Sequence, residues 1–279
     1  LDPDLAPNLN PYVEAKKALK NIGRGSRIFV GSGASEPQYL VKELTDLASQ
    51  FYDTEIFHIQ TLGVAPYTEE KFEDRFRHNA FFVDDNTRDA VATGRADYTP
   101  IFMRDIPGLF KNGRVPLDVS LIQVSPPDEH GYVSLGVAVD IVKGAVENSK
   151  MIIAQVNPKV PRVHGDSFVH VDDIDYLVHK EEELLEFDPI VATDTAKEIA
   201  GYVSTLIEDG ATLQVGYGII PNAILSHLDE KEDLGIHTEM LSEDLANLIK
   251  EGIVTNKKKT LHPGKSIGTF LMGTKDLYD

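Results

Sequence analysis

The sequence predicts an α/β protein made of two related open α/β domains. Three observations carry this prediction: near-continuous apolar strands, an early strand, glycine turn and helix unit, and a second such unit late in the chain. Apolar runs without alternation are typical of parallel strands that are covered on both faces. A chain of 279 residues is also longer than one compact core usually allows. We therefore expect one domain over residues 1–187 and the start of a second over residues 188–279.

The first unit begins with a helix predicted over residues 12–21. A short buried strand, RIFV at 27–30, then runs into the glycine turn GSGASEP. Pro37 is expected to open the next helix, with Ser35 as its N-cap, because proline suits a first helical turn and serine suits a cap. The apolar residues that follow repeat at helical spacing, which predicts one buried helix face.

The second unit has the same order of elements. A helix is predicted over 197–207, a buried strand over 211–215, a glycine turn over 216–218, and a helix opening at Pro221. This shared order predicts a duplication, with the active cleft between the two domains. The alternative is coincidence, since strand, turn and helix units are common in all α/β folds.

Further strands and crossover helices lie between the two units. Strands are predicted over 54–62, 98–102, 119–124 and 151–156. Helices over 86–94 and 138–149 are expected to connect them. The acidic stretch 171–188 is expected to be an exposed edge and a linker.

The composition narrows the classes of function. A net charge of −18 argues against binding to nucleic acid or to an anionic membrane surface, because both need clustered Lys and Arg. The absence of cysteine excludes disulfides, thiolate metal sites and cysteine nucleophiles. No apolar run has the length of a membrane span, and the first residues do not read as a signal peptide. We therefore predict a soluble, cytoplasmic protein.

The two glycine turns are the first candidates for chemistry. Glycine lets backbone N–H groups point into a cleft, and a following helix start adds its dipole, so such turns suit a phosphate or a developing oxyanion. Neither turn completes a dinucleotide fingerprint, and no P-loop follows either one. An oxyanion or carboxylate hole therefore fits these turns better than a nucleotide site.

Glu239 is the second candidate, because it stands among Leu234, Ile236 and Met240. An acid in apolar company is paired or kept for chemistry, unless it is simply an exposed residue at a strand end. A carboxylate can act as a general base or as a nucleophile. Gln214 could add an amide donor from the neighbouring strand, or it could merely face solvent.

The histidines do not predict a metal site. His164 and His170 flank Asp166, but two histidines six residues apart, without a third ligand at helical spacing, make a poor site. We therefore predict no bound metal. The chain also lacks a Gly-x-Ser-x-Gly motif, which argues against a serine hydrolase of that class.

Three segments carry a resemblance to a known family. They are DVSLIQVSPPDEHGYVSLG, MIIAQVNPKVPRVHGDSFVHVDDIDYLV, and LQVGYGIIPNAIL followed by LGIHTEM. Together they closely resemble the acetyl-CoA hydrolase/transferase family, in particular its 4-hydroxybutyrate and butyrate:acetate CoA-transferases. The resemblance implies a class I CoA-transferase fold for both domains. It also implies coenzyme A and acyl-CoA as substrates, no tightly bound cofactor, and a homo-oligomer.

The resemblance also implies roles for particular residues. Glu239 is implied to be the nucleophile, which attacks an acyl-CoA to give an acyl-glutamyl anhydride and then a glutamyl-CoA thioester. Gln214 and the first glycine turn, at Gly31 and Ser32, match positions that help to form the oxyanion pocket. The physical argument from the second glycine turn adds Gly216 and Gly218 as oxyanion donors.

The predicted function is the transfer of CoA between an acyl-CoA and a short-chain carboxylate such as acetate, butyrate or 4-hydroxybutyrate. Acyl-CoA hydrolysis is an alternative, in which water opens the anhydride. A non-catalytic binding or assembly domain is another, because family members are expected to continue beyond MGTKDLYD, which predicts an incomplete second domain.

Overall fold

The chain forms two compact units, Leu1–Leu185 and Glu186–Asp279, which are called unit 1 and unit 2 below. The structure is a computed structural model, and it describes residues 12–188 and 191–279. No helix within these described ranges is both long and apolar enough to cross a membrane.

Unit 1 alternates strands with short helices. Its described strands are β1 (Arg27–Val30), β2 (Thr54–His58), β3 (Phe76–Ala80), β4 (Ala96–Tyr98), β5 (Leu117–Val124), β6 (Tyr132–Ser134), β7 (Ser149–Val156), β8 (Phe168–His170) and β9 (Tyr176–His179). Its described helices are α1 (Ala15–Leu19), α2 (Gln38–Asp46), α3 (Arg88–Ala92), α4 (Ile106–Lys111) and α5 (Val142–Asn148).

Seven of the described strands form one parallel sheet in the order β4-β3-β2-β1-β5-β7-β9. The chain builds the sheet outward from β1, first through β2, β3 and β4, and then on the other side through β5, β7 and β9. In open α/β sheets, ligands bind at the carboxyl ends of the strands where this direction reverses. That point lies between β1 and β5, so the turn after β1 is well placed to bind a ligand.

Helices cover both faces of this sheet. Ile28 and Val30 pack on one face with side chains of α1 and α2, whereas Phe29 packs on the other face with side chains of α4 and α5. The apolar runs predicted over 119–124 and 151–156 are confirmed as buried parallel strands. Their near-continuous apolar character follows from this double cover.

Two predictions near the edges of the sheet need correction. The strand predicted over 98–102 is wrong, because β4 covers Ala96–Tyr98 and Pro100 has no N–H with which to continue the ladder. The stretch 171–188, predicted as an exposed edge and a linker, fits only in part: residues 180–188 have no regular structure and cross the boundary of unit 1, but the stretch also contains β9. This strand does lie at the edge of the sheet, but its Leu177 and Val178 are buried.

The first turn of α2 donates N–H hydrogen bonds to distant side chains, and the prediction of Ser35 as its N-cap is wrong. Ser35 lies in a short 3-10 turn before the helix, and its buried hydroxyl bonds to none of the described residues. The N–H of Tyr39 donates instead to Oε1 of Glu182 at 3.3 Å. The N–H of Leu40 donates to Oε1 of Gln155 at 3.4 Å.

Unit 2 has shorter strands. Its described elements are α6 (Asp194–Ser204), β10 (Thr212–Leu213), α7 (Ile219–Leu225), β11 (Gly235–Ile236), β12 (Met240–Ser242), α8 (Glu243–Lys250), β13 (Phe270–Met272) and α9 (Lys275–Tyr278). β10 pairs with β11, and β12 pairs with β13, both in parallel.

The buried strand predicted over 211–215 is wrong in length and in burial: β10 has two residues, and Thr212 is exposed. Among the described strands β10 has one neighbour, so one of its edges is unpaired.

Replacing Gln155 by Leu should destabilise the protein. Gln155 is fully buried, and its amide nitrogen donates to Gln123 at 2.9 Å and to Glu182 at 2.6 Å. Leucine would leave the N–H of Leu40 without its acceptor, which costs about 1–3 kcal/mol for a buried donor. Urea unfolding would measure the loss. The exposed Gln50→Leu should stay within about 0.5 kcal/mol of wild type, and an equally stable Gln155→Leu would contradict the prediction.

Candidate functional site

Glu239 lies in unit 2, directly before β12, and its side chain is exposed. Its neighbours Thr238 and Met240 are buried. Its main-chain oxygen accepts hydrogen bonds from the N–H of Thr269 at 2.8 Å and from the Thr269 hydroxyl at 3.0 Å. Within the described residues its carboxylate has neither a hydrogen bond nor an ion pair. The backbone at Glu239 is therefore fixed, while the carboxylate is free to react.

Thr238, which precedes Glu239, is hydrogen-bonded to Val215, which precedes the second glycine turn. Its hydroxyl donates to the carbonyl of Val215 at 2.8 Å, and it accepts from the N–H of the same residue at 3.0 Å. The two strands run parallel with Leu213 opposite Ile236. Beyond that pair, the N–H of His237 donates to the carbonyl of Leu213 at 3.0 Å, and the two Thr238 bonds follow. Thr238 was not among the predicted site residues, although a hydroxyl between two apolar segments could have indicated it.

The second glycine turn directly follows Val215, the residue to which Thr238 is bonded. Among the described residues, no acceptor is bonded to the N–H of Gly216 or of Gly218. Gly218 has a φ of 145°, which favours glycine. Gln214 is exposed, and its amide makes no hydrogen bond to the described residues. Four predicted site residues thus lie in unit 2: Gln214, Gly216 and Gly218 follow β10, and Glu239 directly precedes β12.

The other two predicted site residues, Gly31 and Ser32, lie in unit 1 at the carboxyl end of β1. The N–H of Gly31 is already used, because it donates to the carbonyl of Leu121 at 2.9 Å. Ser32 is buried, and neither its N–H nor its hydroxyl has a partner among the described residues. A buried hydroxyl without a partner is unfavourable by about 1–3 kcal/mol, so Ser32 is suited to bind a polar ligand.

Glu36 is a candidate that the sequence analysis missed. It is 1% exposed. Its Oε1 accepts from Nε2 of Gln38 at 2.6 Å, and its Oε2 accepts from the N–H of Gly63 at 3.1 Å. Burial, with a smaller contribution from the charge of Asp84, raises the pKa of Glu36 to about 8 against the opposing effect of these donors. An acid directly before the helix-opening Pro37, inside a turn expected at a ligand-binding edge, was the available signal.

Two buried histidines, His58 and His78, lie near the loop that follows β2, and both are neutral at physiological pH. Burial lowers the pKa of His58 to about 3 and the pKa of His78 to about 4. Nδ1 of His58 lies 2.9 Å from the hydroxyl of Thr61 and 3.2 Å from that of Tyr67. These contacts make His58 part of the packing under the loop. Within 12–188 and 191–279, no group of three or more His, Asp or Glu is arranged to hold a metal ion.

The fold of unit 1 places the chain among open parallel α/β proteins, which bind ligands at the carboxyl ends of their strands. The family model of the acetyl-CoA hydrolase/transferase N-terminal domain matches residues 8–189. The chain therefore belongs to the acetyl-CoA hydrolase/transferase family.

Two relatives show how far the similarity extends. The chain is 51% identical over 267 residues to the 4-hydroxybutyrate coenzyme A transferase of Clostridium kluyveri. The aligned region covers 96% of this chain and 62% of that protein. The chain is 32% identical to the butyryl-CoA:acetate CoA-transferase of Anaerostipes caccae, which covers 95% of this chain and 61% of that protein. The chain thus spans less than two thirds of the length of either relative.

Two solved structures share the α/β fold of this chain. RipA from Yersinia pestis is 31% identical with a TM-score of 0.90, over 96% of this chain and 65% of that one. The 4-hydroxybutyrate CoA-transferase from Porphyromonas gingivalis is 30% identical with a TM-score of 0.79, over 96% and 64%. The predicted α/β class is confirmed.

Replacing Glu36 by Gln should change how stability depends on pH. The pKa of Glu36 rises from 4.5 to about 8 on folding. The contribution of protonated Glu36 to the stability of the fold is complete below pH 4.5 and is lost as the pH rises through about 8. From about pH 5 to about pH 9, the unfolding free energy of wild type relative to Glu36→Gln should therefore fall, on the order of a few kcal/mol.

Urea unfolding at each pH would measure this difference. His58 and His78 are present in both proteins, so their contributions cancel. Glu55→Gln is the matched control, because Glu55 lies on β2 in a partly exposed pair with Arg27. A difference that stays constant with pH would contradict the shifted ionisation of Glu36.

Proposed function

We propose that the protein transfers CoA between an acyl-CoA and a short-chain carboxylate, with Glu239 as the nucleophile. The names of the two relatives support the reaction class. The observation that carries the role of Glu239 is the pair of hydrogen bonds between Thr238 and Val215, at 2.8 and 3.0 Å. They support the proposal because they connect Thr238, which precedes Glu239, to Val215, which precedes the turn whose N–H groups we assign as donors.

In the proposed reaction, a carboxylate oxygen of Glu239 attacks the thioester carbon of the acyl-CoA. The C–S bond breaks, CoA leaves as a thiolate, and an acyl-glutamyl anhydride remains. The thiolate then attacks the glutamyl carbon, which releases the first carboxylate and gives a glutamyl-CoA thioester. The incoming carboxylate attacks the glutamyl carbon of this thioester, the C–S bond breaks, and a second anhydride forms with release of CoA thiolate. The thiolate then attacks the acyl carbon of the anhydride, which gives the new acyl-CoA and regenerates the Glu239 carboxylate.

Each of these attacks places negative charge on a carbonyl oxygen. We assign its stabilisation to the free N–H groups of Gly216 and Gly218 and to the amide of Gln214. We assign substrate contacts in unit 1 to the turn of Gly31 and Ser32, where the free donors belong to Ser32. Fixed donors aimed at a developing oxyanion are often the largest single contribution to catalysis.

The substrates and setting are part of the same proposal. CoA and acyl-CoA bind as substrates with no tightly bound cofactor, and the acceptor is acetate, butyrate or 4-hydroxybutyrate. The protein acts in the cytoplasm as a homo-oligomer. An acidic chain with a net charge of −18 supports small-molecule substrates rather than nucleic acid.

Acyl-CoA hydrolysis is the second candidate, because the matching family model describes both hydrolases and transferases. Its distinguishing step is the opening of the enzyme-bound anhydride by water, whereas transfer proceeds through attack of a carboxylate on the glutamyl-CoA thioester. Release of free CoA from acetyl-CoA, measured with and without an added carboxylate, separates the two reactions. Release that does not depend on the acceptor would favour hydrolysis.

Glu239→Ala should abolish transfer, and Glu239→Asp should reduce it by about 100-fold, since aspartate withdraws the nucleophile by about one methylene. The readouts are CoA transfer in the intact protein and mass spectrometry after acyl-CoA and hydroxylamine, which should modify Glu239 in the wild type. Glu251→Ala, at an exposed position after α8, should keep wild-type activity. Substantial CoA transfer by Glu239→Ala would contradict the proposed role of Glu239 as the nucleophile.

Thr238→Val should lower kcat by at least about tenfold, because valine keeps the shape of threonine but loses both hydrogen bonds to Val215. Thr238→Ser keeps the hydroxyl and should restore most of the rate. Steady-state kinetics of the two variants measures the effect. Equal kcat for Thr238→Val and wild type would show that the Thr238 hydroxyl does not position Glu239.

A further inference from the structure

The buried side chain of Glu36 joins two loops in unit 1. Both loops lie where the parallel strands have their C-terminal ends. One is the turn after β1, residues 31–36. The other is the β2 loop, residues 59–65. Oε2 of Glu36 accepts from the N–H of Gly63 at 3.1 Å, and the N–H of Gly33 donates to the carbonyl of Gln60 at 2.9 Å. These two hydrogen bonds connect the β2 loop to the turn that contains Ser32.

The β2 loop is also held from the side of β3. Nδ2 of Asn86 donates to the carbonyls of Thr61 at 2.8 Å and of Gly63 at 3.0 Å. The N–H of Thr61 donates to Oδ2 of Asp84 at 2.6 Å. With one side fixed in this way, the bond to Glu36 determines how the other side meets the turn.

The residue types in this cluster depend on one another. A Cβ at Gly63 would lie 1.9 Å from Nε2 of Gln38. The Gln38 amide can therefore lie across the loop only because residue 63 is glycine. From that position its Nε2 donates to Oε1 of Glu36 at 2.6 Å. Both oxygens of Glu36 are thus held by N–H donors.

We propose that Glu36 is a positioning residue for CoA transfer, which fixes the β2 loop against the turn and thereby sets the direction of the N–H and hydroxyl of Ser32. The inference rests on the proposed function and adds a residue to it. Glu36 is 1% exposed, so it acts through the loop rather than on the substrate. The sequence places it four residues after Ser32, inside the same turn.

The ionisation state of Glu36 depends on the groups that surround it. The groups that face it are the carboxylate of Asp84, the phenol of Tyr67 and the neutral amide of Gln38. No cation pairs with Glu36 within the described residues. Two N–H donors fit the ionised form best, and the pKa of about 8 makes that form dominant only at alkaline pH. Activity should therefore rise with pH through about 8.

The test compares Glu36→Gln with Glu55→Gln in the intact protein. Glutamine has the shape of glutamate but cannot accept from both donors, and Glu55 lies at the opposite end of β2. We measure kcat and KM from about pH 6 to about pH 9. Glu36→Gln should lower kcat by about tenfold or more and lose the rise near pH 8, whereas Glu55→Gln should keep both. Hydrogen exchange of the Gly63 amide should speed up in Glu36→Gln alone.

A second variant keeps the test decisive if Glu36→Gln does not fold. Gln38→Leu removes one donor to Glu36 and leaves the carboxyl in place. Loss of that donor raises the pKa of Glu36 further, so the rise in activity should move to higher pH. An unchanged pH profile in Gln38→Leu would count against the proposal.

The outcomes separate this inference from the proposed function. A wild type that transfers no CoA would overturn the proposed function, and the role of Glu36 with it. An active wild type, with Glu36→Gln matching Glu55→Gln in kcat, KM and pH profile, would overturn the role of Glu36 alone.

Discussion

The double cover of the parallel sheet is the constraint on which unit 1 depends. Helices bury both faces, so polar side chains cannot be placed along the strands without partners. Buried polar groups along the strands are paired, as Ser120 is with Ser149. Near the carboxyl ends, Gln155 and Asn157 bond to Gln123, and Glu36 bonds to loop donors.

Unit 2 obtains its candidate site by a different route. Its first strand stops at Leu213, so the next residues leave the ladder with free polar groups. Thr238 compensates for the short ladder by bonding to both backbone groups of Val215. A side chain thus does what a longer strand would have done, and the N–H groups of Gly216 and Gly218 have no acceptor among the described residues.

The sequence predicted the α/β class, the central strands and the glycine turns, because those features depend on local pattern. It did not predict the capping of α2 by Glu182 and Gln155, since those residues lie far away in the chain. It overlooked Glu36 for a similar reason: nothing local indicates that the N–H of Gly63 will face it. The duplication of the two units and the roles of the site residues stay predictions.

The packing of Gln38 across Gly63 also limits how this family member can diverge. Any side chain at position 63 would meet the amide of Gln38, whereas a shorter residue at position 38 would make room for it. The contact is with the flexible end of the Gln38 side chain, so a side chain at position 63 would force that amide to move away from its bond to Glu36. Residues 36, 38 and 63 are consequently expected to co-vary among descendants of this sequence, although 27 positions separate the first from the last.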